Sequence, residues 1–369
     1  TTSIENLVAG GFYWKGGYSV EVRIRKIPYL AARTGSELAE ILRKSATYVL
    51  EHAYGQRQAD LTALWEQLEE SDQLELSVAR ALILDNLPIV LRQIGAQRKS
   101  SDLSKALKLY DKARRSKTES EQSQKRNIAS SDSVHVSLRK SLDALADLLV
   151  EREDVQADVL SAVRDKLRDY QYDPSGVLFE LFQNADDAAI ELQALNQELH
   201  GEDLADEAAR FVVDISPTAI RAIHWGRPIN YCPTAIEDGR ADDFRRDLEK
   251  MLILSASDKN PSAGVTGKFG LGFKSVLLAT DSPKVLSGDL RFEIVGGVLP
   301  QQWKTSGDTG TILIKHSSPL RNRGTVTEIP IADLSVRSQV LERFVALSGL
   351  QAVFGRLIHE IRIVGESKP

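Results

Sequence analysis

Phe179-Glu180-Leu181-Phe182-Gln183-Asn184-Ala185-Asp186-Asp187-Ala188-Ala189 has the composition of a helix, yet it sets Glu180, Asn184, Asp186 and Asp187 among residues that belong in a core. Glu180 and Asn184 stand four apart and share one helical face; Asp187, three further on, stays on that side. A carboxylate, an amide and a second carboxylate on one stripe make a poor core. They make a good place to hold a metal and a water. Asp173-Pro174 supplies the helix start, with Asp as N-cap and Pro at the first position. The helix is predicted to run on towards Leu195.

Two strands are expected next, Arg210 to Ile215 and Ala219 to His224, joined by the turn Ser216-Pro217-Thr218 and ended by Gly226-Arg227-Pro228. Asp242 to Leu254 reads as a helix, Ser255 to Gly272 as a glycine-rich loop and Phe273 to Ala279 as a helix leaving it. Strands follow at Lys284 to Leu286, Arg291 to Val295, Gly310 to Lys315 and Gly324 to Ile329. A helix at Gln339 to Phe354 and an edge strand at Ile361 to Val364 close the chain. This order predicts an α+β sandwich, with helices on one face of a mostly antiparallel sheet.

Upstream, Val134 to Tyr170 reads as two helices broken near Arg152-Glu153-Asp154, with stripes at Leu138, Leu142, Leu145, Leu148, Leu149 and at Val155, Val159, Val163, Leu167. Further helices are expected over 34–50, 58–68 and 74–94, with Pro88 as a kink or break. Val20, Val22 and Ile24 alternate as a strand, and Phe12, Tyr13 and Trp14 read as packing. Residues 98–126 are locally basic, with Arg98, Lys99, Lys105, Lys108, Lys112, Arg114, Arg115, Lys117, Lys125 and Arg126 against Asp102, Asp111, Glu119 and Glu121. The plain reading is a solvated helix face; the sharper one is contact with a DNA or RNA backbone. Ser116 to Ser133 reads as a linker. The division expected is an accessory region over 1–130, the sandwich over 131–330, and a helix–strand extension over 331–369.

The chain of 369 residues has 42% hydrophobic and 27% charged residues, ordinary for a soluble globular protein. A net charge of −5 argues against a coat of nucleic acid or membrane, though not against a local patch. Cys232 is the single cysteine, so no internal disulfide forms, and a reducing, cytoplasmic setting is expected. No apolar run is long enough to span a bilayer, and Thr1 to Gly11 lacks the basic start and apolar core of a signal peptide. The absence of an initial Met and the end on Glu366-Ser367-Lys368-Pro369 suggest a processed protein or a piece of a longer one.

Gly267-Lys268-Phe269-Gly270-Leu271-Gly272-Phe273-Lys274 is the second informative stretch. Backbone N–H groups without side chains can wrap a phosphate, and a helix start adds a favourable dipole. It is neither a Walker A loop, lacking Gly-Lys-Ser/Thr, nor a dinucleotide fingerprint, lacking a βαβ unit.

Glu180 to Ala188 resembles the N-box of the GHKL superfamily, the Bergerat-fold ATPases that include DNA gyrase, heat-shock chaperone ATPases, histidine kinases and MutL. Gly267 to Phe273 resembles its second glycine box. Arg323-Gly324-Thr325 resembles the start of its late strand, whose threonine helps bind adenine. The resemblance covers about residues 150–330 and is closest to the chaperone-like, sacsin-type domains. It implies a Bergerat two-layer sandwich that binds ATP with Mg²⁺ and hydrolyses it slowly. Glu180 would be the general base on the attacking water, Asn184 the Mg²⁺ ligand, and Asp187 a support on the nucleotide side. Gly267, Lys268, Phe269, Gly270, Leu271, Gly272, Phe273 and Lys274 would wrap the triphosphate, and Thr325 would meet the base. The segment 231–266, with Lys259 in it, lies where the family has a mobile lid.

Two departures accompany the resemblance. The family's first glycine box has an aspartate before glycine; here Gly226 fits and Trp225 stands in the acid's place. Trp stacks or donates one N–H but accepts nothing, which leaves His224 or Asp238 as the alternative acceptor. A basic residue from a following domain usually meets the γ-phosphate, and little chain remains after Ile329 to supply it. Lys259, Lys268, Lys274, the N-terminal helices and a partner domain or protein are the alternatives. Two other functions are open: a nucleotide sensor or nucleic-acid-binding module that does not hydrolyse, and a histidine kinase built on His135. The kinase reading lacks the proline and the acidic residue of a phospho-acceptor box. Bacterial defence and DNA processing are settings by analogy alone.

Overall fold

A computed structural model describes residues 14–15, 19–20, 76, 80–81, 83–123, 131–204, 208–233, 235–236, 238–253, 272–288, 290–303, 324–331 and 333–365. The helices expected over 34–50 and 58–68, the rest of the strand at 20–25 and the strand at 310–315 lie outside the described residues. Of the first strand, Ser19–Val20 pairs with Trp14–Lys15.

Among the described residues a helix ending at residue 93, seven further helices and the seven strands of one sheet carry the fold. The seven helices are α1 (Ser101–Ser123), α2 (Ser131–Glu151), α3 (Glu153–Asp169), α4 (Val177–His200), α5 (Gly239–Phe244), α6 (Asp247–Leu252) and α7 (Leu334–Phe354). The strands are β1 (Arg210–Ile215), β2 (Ala219–His224), β3 (Lys284–Ser287), β4 (Leu290–Val295), β5 (Leu299–Gln302), β6 (Thr325–Pro330) and β7 (Glu360–Gly365). They form one open sheet in the order β5-β4-β3-β6-β2-β1-β7. Neighbours are antiparallel except β1 and β7, which run parallel. The protein is thus α+β with a mostly antiparallel sheet, as its element order implied.

The side-chain period of two sorts the sheet into faces. Phe211 of β1 stands opposite His224 of β2, which stands opposite Thr325 of β6, which stands opposite Ser287 of β3. This row lies on the helix-covered face, because Phe211 packs edge-on against Phe182 of α4 and Phe344 of α7, at centroid distances of 5.6 and 6.0 Å. The other face carries Val212, Ile223, Leu286 and Val326, clustered with Ala208 and Trp225. Each large side chain buried in this way contributes about 1.5–3 kcal/mol.

α4 is the helix of the opening stretch. Asp173 accepts the Ser175 N–H at 2.8 Å, Pro174–Gly176 forms a 3₁₀ turn, and the helix runs to a left-handed Gly201 with φ 67°. Leu178, Phe182, Ala185 and Ala189 are buried in the main core. Asp186 is also buried, and its carboxylate accepts three backbone N–H groups, from Arg356, Leu357 and Ile358, at 2.8–2.9 Å. That clamp ties α4 to the chain between α7 and β7.

The structure corrects several expectations. The helix that reaches residue 93 passes through Pro88 unbroken, because Leu84, Leu87, Val90 and Leu91 on either side are locked in the core and outweigh the missing N–H. Most of the supposed linker is helical, α1 lasting to Ser123 and α2 beginning at Ser131; Lys, Glu and Gln among the serines sustain the helix. Residues 242–254 hold parts of two short helices, α5 and α6, rather than one. β5 was not anticipated, since Pro300 obscures it. The core also disregards the expected boundaries: Leu84, Leu103 and Tyr110 before residue 130, and Phe344 and Ile358 after 330, belong to the same cluster as α4.

Asp186→Ala removes one acceptor and leaves three N–H groups enclosed, so we expect a loss of about 3 kcal/mol or more in urea unfolding. Asp187→Ala, which breaks a half-exposed ion pair, should cost no more than about 1 kcal/mol. Equal losses would contradict the clamp.

Candidate functional site

Glu180 and Asn184 occupy the α4 face turned away from Phe182, Ala185 and Ala189, with Glu180 half-buried and Asn184 exposed. Their side chains converge on one backbone turn, Gly272. A Cβ on Gly272 would collide with Glu180 Oε2, lie 3.5 Å from Glu180 Cδ and lie 4.0 Å from Asn184 Oδ1. A side chain there would push the Glu180 carboxylate aside. Burial raises the Glu180 carboxyl above the usual carboxylate range. Among the described residues no donor is recorded for it. Tyr172 is near enough that its phenol, raised first by burial, is raised further by the Glu180 charge. A carboxyl of this kind, desolvated and uncommitted, suits proton transfer near neutral pH.

One turn beyond Asn184, α4 meets the loop that leaves β2. Gly226 packs so closely that a Cβ would lie 2.6 Å from Ala188 C and Ala189 N, and Arg227 N donates to Ala188 O at 2.8 Å. Arg227 is buried and bridges Glu191 of α4 and Asp247 of α6, each at 2.8 Å. The same helix face is therefore bounded by Gly272 near its start and by Gly226 further on.

The polar end of the sheet row adjoins the loop that carries Gly226. Thr325 is buried, and its hydroxyl shares a 2.6 Å hydrogen bond with Ser287, which accepts the Ile229 N–H at 2.9 Å. His224 Nδ1 accepts the Gly226 N–H at 3.2 Å, so the neutral ring carries its proton on Nε2. Burial pulls the imidazole down to about 4, which keeps it neutral.

The remaining expected residues are placed differently. Trp225 does not join Glu180, Asn184, Gly226 and Gly272: it is buried in the cluster on the opposite sheet face, with the Arg210 guanidinium 4.6 Å above its ring. Asp187 pairs with Arg356; burial raises its carboxyl and the guanidinium offsets part of that. Phe273 is half-buried between two core clusters. Lys274 is fully buried, and its Nζ donates to Met251 O at 2.7 Å and Ile253 O at 3.3 Å, where α6 ends. Lys259, Gly267, Lys268, Phe269, Gly270 and Leu271 lie outside the described residues. His135 falls within α2.

Two participants were missed in the sequence, Tyr172 and Arg356, and His224, considered there as an acceptor, is the inward residue of its pair with Trp225. That placement was readable, since Ile220, Ala222 and His224 share one side of β2 and Trp225 falls on the other. Arg356 left no local sign, being 169 residues from Asp187.

Among the described residues no three His, Cys, Asp or Glu side chains group as a metal cage. Asp186 is spent on backbone N–H groups, which leaves Asn184 Oδ1 and the Glu180 carboxylate as the oxygens at the Gly272 turn. Among the described residues no helix is long and apolar enough to cross a membrane. Neither the protein-family models nor the curated proteins contain a match to this chain.

Burial pulls the Lys274 ammonium from 10.5 to about 7. Between those values the unfolded chain keeps a proton that the folded chain has released. The side chain therefore costs stability that is greatest at pH 7 and below and fades as pH rises to 10.5. The unfolding free energy of the wild type minus that of Lys274→Met should rise over that window. A flat difference would contradict an enclosed, down-shifted lysine.

Proposed function

We propose that this chain is a Mg²⁺-dependent ATP-binding domain of the Bergerat type, closest in kind to the chaperone-like, sacsin-type members of the GHKL superfamily, and that it hydrolyses ATP slowly. The observation that carries the reading is the convergence of Glu180 and Asn184 on Gly272. That glycine is the last residue of the glycine-rich segment, 255–272. A sheet with α4 and α7 on one face is compatible with the two-layer sandwich this reading needs.

Phosphoryl transfer to water needs charge neutralisation and a positioned nucleophile more than covalent chemistry. Asn184 Oδ1 is a hard oxygen at the right turn to hold Mg²⁺, with waters and phosphate oxygens completing the set. When bound, Mg²⁺ supplies neutralisation of the phosphate charge. Glu180 takes the proton of the attacking water; its burial and lack of a recorded donor among the described residues favour that role. Gly267, Gly270 and Gly272 offer backbone N–H groups to the phosphates, and the segment around Lys259 closes over them as a lid.

Lys274 is engaged with two carbonyls, so a basic contact to the γ-phosphate comes from Lys259, Lys268 or a partner. The need for a partner-supplied cation would make turnover slow in the isolated chain, and lid closure over nucleotide would switch a partner or a larger assembly. At the base end, Thr325 and His224 form the floor. His224 offers an Nε2–H donor, which meets a purine ring nitrogen or carbonyl and not an amino group. Trp225 has no part in it.

Glu180→Ala should lower steady-state ATP hydrolysis by about a hundredfold or more while nucleotide binding survives. Asn184→Ala should lose both. Wild-type turnover in Glu180→Ala would remove the assignment of the base, and nucleotide binding without turnover in the wild type would favour the sensor reading.

A further inference from the structure

The basic stretch takes no part in the site on α4. It folds as α1, and its buried side is fixed: Leu103, Leu107 and Tyr110 sit in the main core beside Leu142, Leu145 and Leu149 of α2. The opposite side is thereby presented outward. Lys108, Lys112 and Arg115 are exposed there; Arg114, also exposed, continues the stripe of Leu107 and Tyr110, and Lys140 is exposed on α2, which packs alongside. None of the five has a carboxylate partner recorded among the described residues. Of the nearby acids, Asp102 pairs with Lys105, Asp111 with Arg92 and Asp143 with Arg139, while Glu119 follows Arg115 by four residues on the same helix.

Over α1, residues 101–123, the sequence has six cations (Lys105, Lys108, Lys112, Arg114, Arg115, Lys117) against four carboxylates (Asp102, Asp111, Glu119, Glu121), within a chain whose net charge is −5. Charge of this sign is concentrated here against the trend of the whole molecule. Lys108, Lys112 and Arg115 recur at helical spacing and span roughly 10 Å along one side of a rigid rod. Such a rod matches a line of phosphates.

The chemistry of the face distinguishes among polyanions. Single strands are gripped by aromatic side chains on which bases stack. Tyr110 is the aromatic residue of α1, and it is buried. Anionic membranes are bound by helices that bury an apolar face in lipid. The apolar face of α1 is used by the core, and Leu109 is the large apolar side chain left exposed on it. A surface with cations, no exposed aromatic on α1 and only Leu109 and Val136 as exposed large apolar side chains on α1 and α2 among the described residues fits the backbone of a duplex.

We propose that the outward face of α1, with Lys140 of α2, binds double-stranded nucleic acid through its phosphates without reading sequence. The proposal is independent of the nucleotide site.

Fluorescence anisotropy of the full chain with a short labelled DNA duplex of mixed sequence tests it, together with an RNA duplex, the matching single strand and phosphatidylserine vesicles. Binding to either duplex at low salt is expected, with the logarithm of the affinity falling against the logarithm of salt at a slope of about −4. The variant carrying Lys108→Gln, Lys112→Gln, Arg114→Gln and Arg115→Gln changes only exposed side chains. It should keep the wild-type circular dichroism and urea midpoint, bind at least about tenfold more weakly, and show a shallower slope. Absence of duplex binding at low salt, wild-type affinity in that variant, tighter binding of the single strand, or binding of vesicles without duplex would each overturn the proposal.

Discussion

A single carboxylate enclosed in protein organises this molecule. Asp186 satisfies three consecutive backbone N–H groups at residues 356–358 and so joins α4 to the chain entering β7. A buried charge is tolerated only with such partners. The clamp fixes how α4 is rotated: Phe182, Ala185 and Ala189 meet the sheet, and Glu180 and Asn184 meet Gly272. Gly226 then holds the helix at backbone contact distance further along. Rotation of α4 would break the clamp, the Phe182–Phe211 contact and the Gly226 approach together. The proposed chemistry depends on that rotation, because a general base works only within hydrogen-bond reach of its water.

The two acids in sequence, Asp186 and Asp187, show how neighbouring residues of one type divide their work. Asp186 points into the protein and holds backbone. Asp187 points outward and meets the Arg356 guanidinium. Both therefore address the same short segment after α7: Asp186 through its N–H groups and, at 3.5 Å, the Arg356 Nε, and Asp187 through the Arg356 guanidinium. The segment that leaves α7 is thus bound to the helix that carries the site, and displacement of one would be felt by the other. β7 extends the sheet beside β1 in the parallel sense, so this coupling reaches the sheet edge.

Local features were legible in the sequence. The turn Ser216-Pro217-Thr218 and the stop at Gly226-Arg227-Pro228 bounded β1 and β2, and an Asp-Pro start placed α4, because each depends on a few adjacent residues. The convergence of Glu180 and Asn184 was legible from their spacing of four. What the sequence concealed was set at long range. Pro88 looked like a break until its neighbours were seen locked in the core. The serine-rich stretch looked like a linker although most of it is helix. The partner of Asp187 lies at the far end of the chain. Trp225 is the instructive misreading: spacing from Gly226 made it a binding residue, whereas the pleat of β2 turns it to the other face and leaves His224 inward. β5 was obscured because Pro300 weakens a strand signal although β5 sits at the edge of the sheet, where a missing N–H is tolerated.

The central claim is that α4 and the Gly272 turn form a nucleotide site that needs a divalent cation. Isothermal titration of the chain with a non-hydrolysable ATP analogue, in Mg²⁺ and again in EDTA, tests it without reference to turnover. The account predicts saturable one-site heat in Mg²⁺ and its loss in EDTA. No heat in either condition, or the same affinity in both, would contradict it.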